Sequence, residues 1–83
     1  MYSIKEGNRF RQHIATKLRL LIESKGTYQN AIANKANLDH ATLSLICCGK
    51  RTPDLFTLTK IVKAFNDISL DYFIEGFKME ENQ

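Results

Sequence analysis

The stretch Gln29–Ile46, QNAIANKANLDHATLSLI, decides the fold. Gln29 to Lys35 reads as a short helix with Ile32, Ala33 and Ala36 on one face. Asn37 breaks it, because Asn enters the left-handed region at lower cost than most residues. Asp39 is a good N-cap for a second helix, Asp39 to Cys48, whose inner face carries Leu43 and Ile46, three apart. Gly49 ends that helix. Two helices that cross closely need a small residue where they touch, and Ala33 is small. Their turn needs an unusual backbone, which Asn37 permits. Ile32, Ala36, Leu38, Leu43 and Ile46 are then placed to hold the crossing angle. Any small bundle with a tight corner between two helices would show several of the same features.

Outward from this corner the chain remains helical. Phe10, Ile14, Leu18, Leu21 and Ile22 recur with helical period, with Asn8 able to cap the start and Gly26 suited to the left-handed end. After the corner, Lys50 to Pro53 form a basic loop. Asp54 caps a fourth helix with Leu55, Leu58, Ile61, Val62 and Phe65 in phase. Ser69 caps a short fifth helix, with Asp71 favourable to its dipole and Phe73 and Ile74 facing inward. No segment alternates with period two, so no sheet is expected. Residues 77–83, FKMEENQ, read as a frayed polar tail.

Composition sets the bounds. The 83 residues are expected to make a single domain, 43% hydrophobic, with five Phe, three Tyr and one Pro. The opening MYSIKE has no apolar core of a secretory signal, and no apolar run approaches the ~18 residues of a membrane span, so no membrane association is expected. The net charge of +3 is unevenly spread. Residues 1–63 hold eleven Lys and Arg against four acidic residues, whereas residues 64–83 hold Lys78 alone against five. A basic body with an acidic end suits one face that attracts polyanions and another that avoids them. Ordinary solvated surface charge would look the same.

A resemblance sharpens these readings. Gly26, Gln29, Ile32-Ala33, Leu38, Gly49-Lys50-Arg51-Thr52-Pro53 and the closing segment Ile68–Gly76 stand in the order and spacing of the phage-repressor and Cro-type (XRE-like) helix-turn-helix family. The likeness covers about residues 14–76, between a short N-terminal extension and a polar C-terminal tail. It implies an all-α, five-helix, lambda-repressor-like DNA-binding domain, acting as a transcriptional regulator, a repressor by preference. It further implies a cytoplasmic protein of bacterial or phage origin. The helix from Asp39 would lie in the major groove. The matching outward residues are His40, Ala41, Thr42, Ser44 and Leu45. His40 and Thr42 can hydrogen-bond base edges, while Ala41 and Leu45 can touch thymine methyls. Gln29 matches the family's phosphate contact at the start of the preceding helix, assisted by Thr27 or Tyr28. Lys50, Arg51 and Thr52 would grip the same backbone. A homodimer on a palindromic operator is the expected assembly, with Tyr72, Phe77 and Met79 as interface residues. An antitoxin-like or developmental regulator, working mainly through a protein partner, is the alternative.

Cys47 and Cys48 stand where the family commonly has Glu then Asn. That Glu usually pairs with an Arg at the position of Ile22, so both halves of the ion pair are apolar in this chain. Packing of Ile22 with Cys47 in the core is therefore expected, since replacing both charges avoids stranding one. Zinc would need about four ligands, and only His13 and His40 could join the cysteines. A disulfide between helical neighbours is geometrically poor. Cys48, nearer the surface beside Lys50 and Arg51, could instead sense oxidants. No carboxylate or nucleophile constellation suggests an enzyme, and no cofactor is expected.

Overall fold

The computed structural model describes residues 4–78. Five helices follow in order: α1 (Ile4–Ser24), α2 (Gln29–Ala36), α3 (His40–Cys47), α4 (Leu55–Phe65) and α5 (Leu70–Ile74). There is no strand among the described residues. α2 packs against α3 and α4, while α1 lies against α3 and α5. The core is apolar throughout. Ile14, Leu18 and Leu21 of α1 meet Ile32 and Ala33, then Leu43, Ile46 and Cys47, then Leu58, Ile61 and Phe65, and finally Phe73. Every helix thus contributes its periodic stripe, and burial of these stripes drives the fold.

Three helix ends share one construction. Gly26, Asn37 and Gly49 adopt φ of 64°, 56° and 76° after α1, α2 and α3. At each, two backbone N–H groups turn back onto the helix. Thr27 donates to Ile22, Leu38 to Ala33, and Lys50 to Leu45, at 3.1, 2.8 and 2.9 Å. This left-handed closure satisfies carbonyls that the helix itself leaves free. α4 ends on a further left-handed residue, Asn66, at φ 75°. At its other end Asp54 accepts from the Thr57 N–H at 2.7 Å. That bond holds the Asp54 carboxyl below its usual range.

α5 is closed onto α1 by Tyr72, whose hydroxyl donates to the Lys17 carbonyl at 2.9 Å. The Lys17 ammonium lies 4.4 Å above the Tyr72 ring and 3.9 Å from Glu75. Burial, reinforced by Glu75, raises the Tyr72 phenol above its ordinary value. Lys25 and Asp67 pair between the ends of α1 and α4, and that hydrogen bond lowers the Asp67 carboxyl.

Several expectations need correction. α1 begins at Ile4, so Asn8 lies inside it and caps nothing. Leu55 and Ile74 have the right period yet are 69% and 53% exposed, because each sits at a helix end that no neighbouring element covers. Phe77 and Lys78 are not frayed. The Phe77 ring meets Phe10 edge-on at 5.2 Å, lies 5.4 Å from His13, and is covered by Arg9, which also donates to the Lys78 carbonyl at 2.8 Å. An aromatic ring beside an uncovered helix face gains more by packing than by extending into water. Residues 79–83, the remainder of the expected tail, lie outside the described residues.

Candidate nucleic-acid interface

The candidate interface centres on α3. Leu43, Ile46 and Cys47 are buried on its inner side, which turns the opposite face outward. His40, Ala41 and Leu45 are exposed there, and Thr42 and Ser44 are partly so. All five expected base-contacting side chains therefore remain outside the core. Eight residues at ~1.5 Å rise give a rod of about 12 Å. His40 stands at its first position, and Lys50 follows the closing Gly49 at the far end. Lys50, Arg51 and Thr52 are all exposed.

The N-termini of α2 and α3 are open. Tyr28 and Asp39 occupy the extended N-cap positions, but neither side chain accepts a capping hydrogen bond. Asp39 was expected to be a good cap and takes only the backbone role. Uncapped N–H groups at a helix start attract anions. Tyr28 is 75% exposed and free to reach outward, with Thr27 and Gln29 half-buried on either side. The corner itself is tied by two polar contacts. His40 Nε2 lies 2.9 Å from Asn34 Oδ1, joining α2 to the start of α3. The Lys60 ammonium donates to the Asn37 carbonyl at 3.2 Å and lies 4.9 Å from the Phe56 ring centroid. Asn34 and Lys60 escaped notice in the sequence, since neither belongs to a periodic stripe.

The cysteines divide as their positions demand. Both are free; Cys47 is buried and Cys48 exposed. Burial first, then the neighbouring Cys48, pushes the Cys47 thiol up to about 11, partly opposed by Arg19. Cys47 belongs to the core cluster, against which Ile22 packs half-buried. Cys48 shares the outward stripe of Ala41 and Leu45, one helical turn beyond Leu45. Among the described residues, no three His, Cys, Asp or Glu side chains gather as metal ligands. No described helix is long and apolar enough to cross a membrane.

The expected dimer residues are largely occupied within the chain. Tyr72 uses its hydroxyl and ring face on Lys17, and Phe77 uses its ring on Phe10, His13 and Arg9. Each stays partly exposed, whereas Met79 lies outside the described residues.

Two short helices at a tight corner, the second offering a polar face that runs into a cationic loop, define a helix-turn-helix domain. A helix-turn-helix family model matches residues 18–73, well over half of the chain, and the chain belongs to that family, of phage-repressor and Cro type. It is accordingly a DNA-binding regulator of transcription in the general sense. No curated protein and no solved structure matches the chain significantly.

Proposed function

We propose that the chain represses transcription by binding a specific double-stranded operator, with residues 14–76 as one DNA-binding domain and α3 in the major groove. The observation that carries this reading is the outward face of α3, which lies outside the core cluster and leads directly into exposed Lys50, Arg51 and Thr52. His40, Thr42 and Ser44 supply hydrogen bonds to base edges, and Ala41 and Leu45 supply apolar contact. The open start of α2, with Thr27, Tyr28 and Gln29, and the loop after α3 hold the phosphates on either side. The protein acts in the cytoplasm of a bacterium or a phage-infected cell.

A recognition helix of eight residues reads few base pairs, so two copies bind a palindrome with half-sites about one turn apart. The α5 side, with Tyr72, Phe77 and exposed Ile74, supplies the contact. The exposed pair Leu55 and Phe56, 69% and 70% accessible at the start of α4, is the competing surface. Sedimentation on the selected duplex separates them. Ile74→Asp should abolish the two-copy complex, and its survival there with loss in Leu55→Asp/Phe56→Asp would move the interface to α4.

Selection of bound duplexes from a random pool tests the whole reading. It should return a palindrome whose affinity falls steeply with salt, because phosphate contacts release counterions. Lys50→Ala and Arg51→Ala should each lower the salt slope by about one and weaken all sequences alike, whereas His40→Ala should relax preference at one position. Failure of the wild-type chain to retain any duplex at low salt would refute it.

A further inference from the structure

The C-terminal end of α3 is held by more than its own backbone. The Ser44 carbonyl accepts from the Cys48 N–H at 3.0 Å, Leu45 from Lys50 at 2.9 Å, and Ile46 from Gly49 at 3.1 Å. Cys47 is the last residue of the helix, and its carbonyl accepts from none of these amides. Instead the Arg19 guanidinium reaches across from α1 and donates Nη1–H to the Cys47 oxygen at 2.5 Å. All of the last carbonyls of α3 are thereby satisfied. α1 and α2 end in the same left-handed closure, yet among the described residues Arg19 on Cys47 is the only long-range side-chain bond to a carbonyl of the last four residues of any of the three helices; Lys60 reaches instead the Asn37 carbonyl just past α2. A cation at this place also complements the negative end of the helix dipole.

A second contact from α1 meets the same end. Gly49 is buried, and the carboxamide of Gln12 lies so close that a Cβ there would fall 2.4 Å from Gln12 Nε2. Gln12 and Arg19 are seven residues apart, two turns along one face of α1. Between them they clasp the residues from Cys47 to Gly49, and the next residues are Lys50 and Arg51 of the phosphate loop.

We infer that Arg19 is a positioning residue for DNA recognition: its guanidinium pins the Cys47 carbonyl and so fixes the end of α3 and the Lys50–Thr52 loop in the register that the duplex requires. The inference rests on the DNA reading above. It also accounts for how this chain manages without charges at Ile22 and Cys47. The link between α1 and α3 runs from a residue one turn earlier to a backbone oxygen, leaving Cys47 in the core and Ile22 packed against it.

The test uses Arg19→Ala and Arg19→Lys in the full chain. Affinity for the selected duplex is measured by fluorescence anisotropy across a salt series, and amide hydrogen exchange is followed in the free protein. Arg19→Ala should bind roughly five- to tenfold more weakly, part of the worth of one charge-assisted hydrogen bond because the uncovered carbonyl regains water, with the salt slope unchanged. The Lys50 and Arg51 amides should exchange faster while those of Leu18 and Ile61 keep their protection, a pattern that general destabilisation does not produce. Arg19→Lys should recover part of both effects, and it carries the test should the Ala variant not fold. A salt slope lowered by about one would make Arg19 a phosphate contact and overturn the inference. So would wild-type affinity and exchange in Arg19→Ala. A wild-type chain that bound no duplex would instead overturn the DNA reading itself, and unchanged loop exchange in Arg19→Ala would independently refute the pinning.

Discussion

Replacing Gly49 by Ala imposes two separable costs. At φ 76° an L-residue pays about 1 kcal/mol for the left-handed backbone, partly offset by its stiffer unfolded chain. The new Cβ would also lie 2.4, 2.8 and 3.0 Å from Nε2, Cδ and Oε1 of Gln12. Those atoms end a flexible, exposed side chain, so Gln12 swings away at a further cost of about 0.5–1 kcal/mol in rotamer and packing. Gly26 is the natural control. Its φ is 64°, and a Cβ there would meet nothing within 4 Å. Gly26→Ala should therefore show the backbone cost alone, a fall in Tm of roughly 4–8 °C per kcal/mol for a domain of this size. Gly49→Ala should fall further, and Gln12→Ala should erase the difference, giving a coupling of about 0.5–1 kcal/mol in the double-mutant cycle. Asn is tolerated at Asn37 and Asn66 with φ of 56° and 75°, so Gly26→Asn should cost less than Gly26→Ala. Thermal unfolding monitored by far-ultraviolet circular dichroism, which reports helix content, reads all of these. Equal losses at the two glycines, unchanged in the Gln12→Ala background, would refute the crowding; a neutral Gly26→Ala would refute the backbone term.

Other perturbations follow from the same contacts. Leu43 is fully buried at the centre of α3, so Leu43→Ala should cost about 2–5 kcal/mol in urea unfolding and abolish DNA binding through loss of the fold. A thiol reagent near neutral pH should titrate Cys48 alone in the native chain and both cysteines in denaturant, and bound duplex should shield Cys48 because it shares the outward stripe of α3. The folded Cys47 thiol is raised to about 11 from 9.0, so the neutral form is favoured by folding. Its contribution is full below 9.0 and lost as pH rises through about 11; Cys47→Ala should flatten the alkaline limb of stability in that window. Asp54 has the opposite sign. Its carboxyl is held low by the Thr57 amide, so its stabilisation of α4 is present above the ordinary carboxylate value and disappears as pH falls through the lowered one. Asp54→Asn should remove that acid dependence.

Much of this was legible because it follows from local chemistry. Asn37, Gly26 and Gly49 could be placed at helix ends from their backbone preferences alone, and each takes up the left-handed region there. The stripes of α1, α2 and α3 fixed the inner faces, because a helical period leaves one way to bury Ile14, Leu18, Ile32, Leu43 and Ile46 together. Periodicity failed where a helix end lacks a covering neighbour, as at Leu55 and Ile74. It also could not place Phe77, a ring in a polar segment whose partners Phe10 and His13 lie more than sixty residues away in the chain. Arg19 was the least legible. Its partner is a backbone oxygen 28 residues distant, and carbonyls leave no mark in a sequence.

The brevity of the helices ties activity to the integrity of the whole molecule. Isolated helices below ~12–15 residues are marginal in water, and α2, α3, α4 and α5 have 8, 8, 11 and 5 residues. α3 therefore holds its shape only with Leu43, Ile46 and Cys47 seated in the core. Unwinding the helix as a whole would empty that part of the core, so α3 forms and melts with the remainder. On the operator-binding reading proposed above, the quantity of competent regulator in a cell follows the folded fraction, and heat or a protease acting on the unfolded chain would lower occupancy of the operator as an inducer would.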